Sequence, residues 1–297
     1  MTRFLHRLSP TGFARLLAVI TVSGLAALAL APLAAGPAAK NTLPGARAEI
    51  DAGRFPTLQA ALDAIPPEGG IVRLPPGHFE ITKPLVLSRP DVTLVGAGTA
   101  THIHNANVQG KPALVVQHPD GEKVKSADRL WRVRLADFRL TGTAKSGHGV
   151  VALWINELFV QGLTVSEHGG DGLRLDHCYE DPRISDSLIT YNKQVGLNLI
   201  GCHDIVVSSN QFEENNDALS CTDGFNLCLT GNCLDDHLRH GVIIENTYGS
   251  VLSGNMIEEC QGYAVILDRD CYGTVSYTHL RAHETDSYLV CRLLLEK

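Results

Sequence analysis

The strongest constraint on this chain is a short phrase that occurs six times at nearly equal intervals. Each copy has a small residue, an apolar residue, any residue, and then a small or apolar residue. The copies begin at Gly149, Gly172, Gly196, Ala218, Gly241 and Ala264, which are 22 to 24 residues apart. A regular period of this length predicts a solenoid, in which each repeat buries its apolar face only by stacking on its neighbours. Equivalent positions then form columns along the molecule, with one residue from each repeat, or rung.

Within each copy, apolar residues stand two apart, as in Leu173 and Leu175 or Leu197 and Leu199. This spacing predicts β-strands with one face buried, because alternate side chains of a strand lie on the same face. The segments are too short for helices, and Gly and Asn separate them. A leucine-rich repeat is the main alternative, but its LxxLxL…N signature is absent.

A second phrase recurs in each rung, beginning at Val160, Ile184, Val207, Leu229 and Leu252. It places Asn210, Asn232 and Asn255 at one position, where the two earlier rungs have Ser187 and Leu163. We expect the stacked asparagines to hydrogen-bond to one another along the axis, as in the Asn ladders of stacked sheets.

These repeats resemble the right-handed parallel β-helix superfamily that includes pectate lyases. The segment from Phe55 to Gly98 is similar to the start of that fold. By this resemblance, Thr57–Ile65 is a short helix that caps the first rung, Gly69–Gly70 is a turn, Ile71–Leu74 is a strand, and Pro76–Gly77–His78–Phe79 is its ending. The expected fold is therefore an all-β, right-handed parallel β-helix with an N-terminal capping helix.

The N-terminal segment differs in composition from the repeats. Arg3, Arg7 and Arg15 precede an apolar run from Leu16 to Leu30, and small residues follow. Residues 1–35 are therefore expected to be a signal peptide, which implies a secreted or periplasmic protein. An uncleaved run would instead anchor the chain to a membrane, although about 15 residues is short for a span. We expect a linker over residues 36–54 and the β-helix domain over residues 55–274.

The last 23 residues, 275–297, resemble a translated sequencing adapter. VSYTHLRAHET is one translated frame of a transposase-type adapter, and LVCRLLLE is one of a flow-cell adapter. We therefore expect this segment to be an artefact and the natural domain to continue after Thr274. Further rungs and a cap would cover the sheet edge that would otherwise remain open.

Charge and cysteine content restrict the function. The chain has 32 acidic residues against 25 basic ones, and this excess argues against a nucleic-acid partner. Seven of the eight cysteines precede the tail, and export would permit disulfides. Cys178 and Cys202 follow their glycine anchors by the same interval, so they lie on adjacent rungs. Either a disulfide between them or a stack of free thiols is possible.

Acidic and histidine side chains recur beside the first strand of each rung. Asp176, His177, His203, Asp204 and Asp223 follow this strand, and His148, Asp171, Asp217, His240 and Tyr263 precede it. In the resembled superfamily the substrate groove runs over this strand. The first five are therefore our candidate catalytic residues. The aspartates would act as acid and base or as oxygen ligands of Ca²⁺, and a histidine would move a proton. Asp171 and Asp217 are typical of generic turns, which are rich in Asp.

The expected function is action on a polysaccharide, possibly one containing uronic acids, by a lyase or a glycoside hydrolase. Gly147–His148–Gly149 is similar to one polygalacturonase element, but the Asn-Thr-Asp, Asp-Asp and Arg-Ile-Lys elements of that family are absent. The alternative is a non-catalytic envelope, adhesion or glycan-binding protein with the same fold.

Overall fold

The computed structural model describes residues 43–280, with side chains through residue 276. The expected signal peptide and most of the adapter-like tail lie outside these residues. Within the described part, no helix is long and apolar enough to cross a membrane.

The described residues form one α-helix, α1 (Leu58–Asp63), and twenty-three strands. Three short 3₁₀ helices cover Ala52–Arg54, Gly121–Lys123 and Ser126–Asp128. The strands that precede the regular repeats are β1 (Ala48–Asp51), β2 (Gly70–Arg73), β3 (Gly77–Ile81), β4 (Leu85–Leu87), β5 (Val92–Asn105), β6 (Leu114–Gln117) and β7 (Leu130–Thr141). The strands of the repeats are β8 (Val150–Leu153), β9 (Ile155–Gln161), β10 (Thr164–Ser166), β11 (Leu173–Asp176), β12 (Arg183–Ser185), β13 (Leu188–Thr190), β14 (Val195–Ile200), β15 (Val206–Ser208), β16 (Gln211–Glu213), β17 (Asp217–Thr222), β18 (Cys228–Thr230), β19 (Cys233–Asp235), β20 (Val242–Glu245), β21 (Val251–Ile257), β22 (Val265–Asp268) and β23 (Val275–Leu280).

The strands pair in parallel into two sheets. The first sheet has eight strands in the order β4-β6-β8-β11-β14-β17-β20-β22. The second sheet has fifteen strands, and each regular rung contributes two of them, such as β12 and β13. Each rung thus runs through the first sheet once and through the second sheet twice. The chain is a parallel β-helix, as the sequence predicts.

The register of the first sheet brings the predicted apolar columns together. Leu173 pairs with Leu197, which pairs with Leu219, while Leu175 pairs with Leu199 and Leu199 with Cys221. All of these side chains are fully buried. The alternating apolar residues therefore form the continuous core of the β-helix.

The predicted Asn ladder is confirmed at the corner between the two second-sheet strands of each rung. The Oδ1 of Asn232 accepts hydrogen bonds from the main-chain N–H and the Nδ2 of Asn210, each at 3.0 Å. The Nδ2 of Asn232 donates to Oδ1 of Asn255 at 2.9 Å. Ser187 and Leu163 extend this column through their main-chain N–H groups. The ladder satisfies buried amides that would otherwise lack partners.

A second ladder, which the sequence analysis did not identify, lies at the turn that leads back to the first sheet. The Oδ1 of Asn192 accepts from the main-chain N–H of His168 at 3.2 Å, and Asn192 Nδ2 donates to Asn215 Oδ1 at 2.9 Å. The Nδ1 of His237 lies 3.3 Å from the carbonyl oxygen of Asn215. A fully buried histidine therefore stands at each end of this asparagine pair.

The N-terminal helix is confirmed, with Thr57 as its N-cap; the Thr57 hydroxyl accepts from the Ala60 N–H at 3.1 Å. The side chain of Gln59 pairs with both main-chain groups of Val86 in β4, at 2.8 and 3.0 Å. It thereby completes the hydrogen bonding at the edge of the first sheet, as a neighbouring strand would.

Two segments at the N-terminal end differ from the sequence analysis. Residues His78 and Phe79, expected to end a strand, belong to strand β3, which pairs with β5. Strand β1 lies within the segment 36–54, for which a linker is expected, and it pairs with β2. Both add strands to the second sheet, because open strand edges pair with any extended segment of suitable length.

At the C-terminal end, β23 pairs with β21 although its residues follow Thr274, where the repeat pattern ends. It covers the edge of the second sheet by the same main-chain pairing. The pairing depends on main-chain groups, so it does not bear on the resemblance of this segment to an adapter.

Cys178 and Cys202 are both fully buried. Their Sγ atoms lie 3.6 Å from the Ala152 carbonyl oxygen and 3.5 Å from the Leu175 carbonyl oxygen. The disulfide and the stack of free thiols both remain predictions.

Candidate functional site

The outward face of the first sheet becomes polar at β11 and β14. In β11, Leu173 and Leu175 point into the core, while Arg174 and Asp176 are partly exposed on the other face. Asn198 pairs with Arg174 in register on the next strand. Strand alternation thus places one cation, one carboxylate and one amide on the same side of the sheet.

Asp171, just before β11, is a fully buried carboxylate. Its Oδ1 accepts from the Val195 N–H and its Oδ2 from Asn198 Nδ2, both at 3.0 Å. Burial raises the pKa of Asp171, but hydrogen bonds with His148, Asn198 and Val195 outweigh it, so this pKa lies below its usual value. Asp171 therefore carries a negative charge at neutral pH.

His148 makes two contacts with Asp171 through the same ring nitrogen. The main-chain N–H of Asp171 donates to His148 Nδ1 at 2.9 Å, and Asp171 Oδ2 lies 3.3 Å from that Nδ1. These contacts require opposite protonation states of Nδ1. When Nδ1 is the acceptor, it holds the Asp171 main chain. When Nδ1 carries the proton, it donates to Asp171 Oδ2 and adds to the bonds from Asn198 and Val195 that stabilise the ionised carboxylate.

Arg174 joins this buried carboxylate to an exposed pair. Its guanidinium lies 4.0 Å from Asp171 Oδ2 and 3.3 Å from Asp176 Oδ2. Asp176 Oδ1 lies 2.6 Å from Nδ1 of His177. We refer to His148, Asp171, Arg174, Asp176, His177 and Asn198 as the polar network. It crosses the outward face of the first sheet over three rungs.

His177 lies in the left-handed region, with φ of 52°. Its ring stacks on Trp154 of the preceding rung, with centroids 4.2 Å apart. Asp176 holds Nδ1, and within the described residues no group hydrogen-bonds to Nε2. A histidine held in this way presents Nε2 as a possible proton acceptor.

The structure does not bring the other three candidate residues into this network. The His203 ring lies between Tyr179 and Phe225 and makes edge-to-face contacts with both, at centroid distances of 4.6 and 4.7 Å. Asp204 Oδ1 accepts from Asn226 Nδ2 at 2.7 Å, and Asp223 Oδ1 accepts from Asn246 Nδ2 at 2.5 Å. Of the five candidates, only Asp176 and His177 are in contact with each other. A catalytic role for any of the five remains a prediction.

The sequence analysis assigned Asp171 and Asp217 to generic turns, and both do serve the main chain. Asp217 Oδ1 accepts from the His240 N–H at 3.0 Å, and Arg239 pairs with the same carboxylate. The contacts of Asp171 with Arg174 and Asn198 were not predicted. They follow from the pairing of Asn198 with Arg174 on adjacent strands, and this pairing can be recognised only when the register of the strands is known.

No group of three or more metal-ligating side chains occurs in the polar network, within the part of the chain whose side chains are described. In that part of the chain, the carboxylate oxygens of Asp235, Asp236 and Glu259 lie close to one another, but this group is at the second sheet. The Ca²⁺ expectation at the first sheet therefore remains a prediction without a matching ligand set.

The site is an open surface and not a cavity. Two depressions, of about 350 and 390 Å³, lie at the second sheet and at the turn that follows it, beside Tyr191 and Glu167. None of the network side chains lines them. An open face suits a long polymer better than a small enclosed ligand.

Residues 148–290 match a family model described as right handed beta helix region. This agrees with the architecture above and with the right-handed β-helix that is expected from the sequence. No curated protein matches the sequence.

Several solved structures share the fold. A family 28 exopolygalacturonase from Yersinia enterocolitica aligns with a TM-score of 0.62 and 11% identity, over 82% of this chain and 67% of that one. The enzymatically active domain of tailspike protein 2 from bacteriophage CBA120 aligns with a TM-score of 0.60 and 12% identity, over 81% and 43%. The catalytic unit of a GH87 alpha-1,3-glucanase from Streptomyces thermodiastaticus aligns with a TM-score of 0.52 and 22% identity, over 77% and 43%.

This chain spans 61% of ORF18 from Geobacillus virus E2 and 38% of the full-length tailspike protein 2, which also share the fold. At these identities the likeness is one of architecture, and the chemistry must be argued from the side chains.

Proposed function

We propose that this protein acts on a polysaccharide at the polar network, and that it cleaves the chain by elimination. The observation that carries the proposal is the Asp176–His177 pair beside Arg174, on the open outward face of the first sheet. The names of the exopolygalacturonase and the glucanase, which share this fold, support a polysaccharide as the substrate class.

Each side chain has a role that follows from its contacts. Asp176 accepts a hydrogen bond from Nδ1–H of His177 and fixes the ring, so that Nε2 can remove the proton next to the sugar carboxylate. The electron pair of that C–H bond forms a carbon–carbon double bond as the bond to the neighbouring glycosidic oxygen breaks, and the leaving oxygen takes its proton from water. Arg174 would neutralise a sugar carboxylate, which makes the adjacent C–H more acidic. Asp171 holds the Arg174 guanidinium on one side and Asn198 on the other, which positions both groups.

Hydrolysis is the less favoured chemistry because it needs two carboxyl groups that flank the cleaved bond. Asp171 is buried and hydrogen-bonded, which leaves Asp176 as the accessible carboxylate of the network. Asp223 lies two rungs further along, about 10 Å away at ~4.8 Å per rung. That spacing is slightly beyond the range of about 6.5–9.5 Å for inverting enzymes.

The test is a screen of the purified full chain against uronic-acid and neutral glycans. Elimination gives an unsaturated product that absorbs ultraviolet light, whereas hydrolysis gives new reducing ends alone. We expect Asp176→Asn and His177→Gln to lower turnover by about 10²- to 10⁴-fold, with an unchanged circular dichroism spectrum.

Asp186→Asn and His118→Gln are the matched controls. Asp186 also accepts a side-chain hydrogen bond, from Gln161 Nε2 at 3.2 Å, but it lies at the corner within the second sheet. His118 also has a partner for Nδ1, the Asp120 N–H at 3.1 Å. Equal losses in the controls and in the network variants would contradict the proposal.

A second candidate function is glycan binding without catalysis. It is favoured by the contacts of His203, Asp204 and Asp223, which have a structural use. His203 packs edge-to-face against aromatic rings, and the two aspartates accept hydrogen bonds along turn columns. This candidate predicts binding to an immobilised glycan that persists in Asp176→Asn and His177→Gln. It also predicts no product from the unaltered protein on any glycan tested. The predicted signal peptide would bring either function to extracellular polysaccharide.

A further inference from the structure

A cluster of histidines lies on the outward face of the second sheet, apart from the polar network. His78 is in β3, His102 and His104 are in β5, and Thr141 ends β7. The register pairs His78 with His102 and His104 with Thr141. The side chains therefore stand beside one another on three adjacent strands. The proposed polysaccharide chemistry uses none of them.

The nitrogen atoms of two of these rings face each other. Nδ1 of His78 lies 3.0 Å from Nδ1 of His102. The other nitrogen of His102, Nε2, lies 2.7 Å from the Thr141 hydroxyl oxygen, and that oxygen lies 2.8 Å from Nδ1 of His104. Four polar groups thus form one continuous chain of contacts.

When the rings are neutral, the number of protons along this series of contacts is fixed. If His102 Nε2–H donates to Thr141, then His102 Nδ1 is bare and His78 Nδ1–H donates to it. If Thr141 donates to His102 Nε2, then His102 carries its proton on Nδ1 and donates to His78. In both arrangements a single proton lies between two lone pairs that face each other. A metal ion at that position would displace this proton, which moves to Nε2 of the same ring, so that both rings bind the ion as neutral imidazoles.

We propose that His78 and His102 form a chelating site for a divalent transition metal ion, with Thr141 as a positioning residue. Imidazole nitrogens bind such ions at about 2.0–2.1 Å. Two ligands at 90° about the ion would then be about 2.9 Å apart, and two tetrahedral ligands about 3.3–3.4 Å apart. The spacing of 3.0 Å fits the right angle. It therefore favours Cu²⁺ or Ni²⁺ in tetragonal geometry over tetrahedral Zn²⁺.

Two charged residues flank the pair. Glu80 follows His78 by two residues on the same face of β3 and pairs in register with His104. Arg139 pairs in register with His102 on the next strand. The orienting contact from Thr141 matters because a ligand ring held by a second hydrogen bond binds more tightly.

The experiment is a titration of the full chain with CuCl₂, followed by calorimetry and electron paramagnetic resonance. We expect one site whose spectrum shows coupling to two imidazole nitrogens. His78→Ala and His102→Ala should each weaken this site by at least about 100-fold, and Thr141→Val by about 10- to 100-fold. Ni²⁺ should bind more tightly than Zn²⁺.

His118→Ala is the control, because His118 lies in the same part of the chain without a second histidine at its nitrogen. His78 is exposed, so its replacement leaves the core intact. A site that survives both His78→Ala and His102→Ala, or one that the control abolishes, would overturn the assignment. A site with wild-type affinity in Thr141→Val would remove the positioning role.

Discussion

The ring of His177 leans over Gly201, the residue at the equivalent turn position of the next rung. A Cβ atom added to Gly201 would lie 3.1 Å from Nε2 of His177 and 3.2 Å from its Cδ2. Gly201 has φ of 59°, a region that glycine adopts without strain. This glycine therefore leaves the space in which the His177 ring lies.

Gly201→Ala should lower the initial rate on a polysaccharide substrate by more than its loss of folding stability can explain. The added methyl group displaces the ring from Asp176, and the positive φ adds a cost of about 1 kcal/mol. The measurement pairs initial rates with urea unfolding.

Gly231→Ala is the control for that prediction. Gly231 has φ of 65°, and a Cβ there meets nothing within 4 Å. It should lose similar stability and retain full activity. If the two variants lose the same activity, the contact between Gly201 and His177 has no functional consequence.

Asn232→Ala should destabilise the fold by about 1–3 kcal/mol, because it leaves buried main-chain and amide groups without partners. Asn232 is bonded to Asn210 on one side and to Asn255 on the other. Urea unfolding monitored by circular dichroism measures the change. Asn226→Gly removes an exposed asparagine from another turn column and should change the free energy of unfolding by less than about 0.5 kcal/mol.

The protein should lose stability as the pH falls from about 6.5 toward 4. Burial lowers the pKa of both His168 and His237 to about 4, although nearby carbonyl groups offset part of this effect. The unfolded chain therefore takes up protons at a pH at which the folded chain does not. Each histidine contributes a slope of at most about 1.4 kcal/mol per pH unit in this window.

Urea unfolding at several pH values between 7.5 and 4.5 measures this slope. His237→Asn removes one of the two groups and should flatten it. His102 and His240, whose pKa values burial also lowers, act in the same direction and remain in the variant. A slope that is unchanged in His237→Asn would show that its burial is not coupled to stability.

The buried thiols should resist alkylation until the chain unfolds. Burial raises the pKa of the Cys202 thiol and raises that of Cys221 to about 12, so little reactive thiolate forms near neutral pH. Mass spectrometry after iodoacetamide treatment, with and without urea and without reductant, distinguishes the states. We expect Cys178 and Cys202 to be modified only in urea. A linked pair of peptides would instead identify the disulfide alternative.

The fold was predictable because the residues that determine it repeat in every rung. Inward residues two apart and an asparagine once per rung specify strand faces and a corner, as the columns from Leu173 and from Asn210 demonstrate. The second ladder escaped prediction because its ends are His168 and His237, which do not repeat the asparagine of Asn192 and Asn215.

The candidate site was only partly predictable, because the rungs vary by a residue or two in length. His177 and Gly201 share one turn position, whereas His203 belongs to the aromatic column of Tyr179 and Phe225. The five candidates were grouped because each closely follows a strand in the sequence, but their side chains lie at different turn positions. The facing nitrogens of His78 and His102 lie in the irregular N-terminal rungs, where the repeat gives no register at all.

Every side chain of the polar network comes from three consecutive rungs, which cover residues 148–216 and have a parallel strand edge at either end. A gene segment that encodes such a block can be duplicated in tandem without breaking the hydrogen bonding on either side, because every rung presents the same kind of parallel main-chain edge. The copy would carry a second network about 14 Å along the axis, at ~4.8 Å per rung. In this architecture, the number of such networks can grow by recombination alone, and the distance between them is set by the length of the duplicated block.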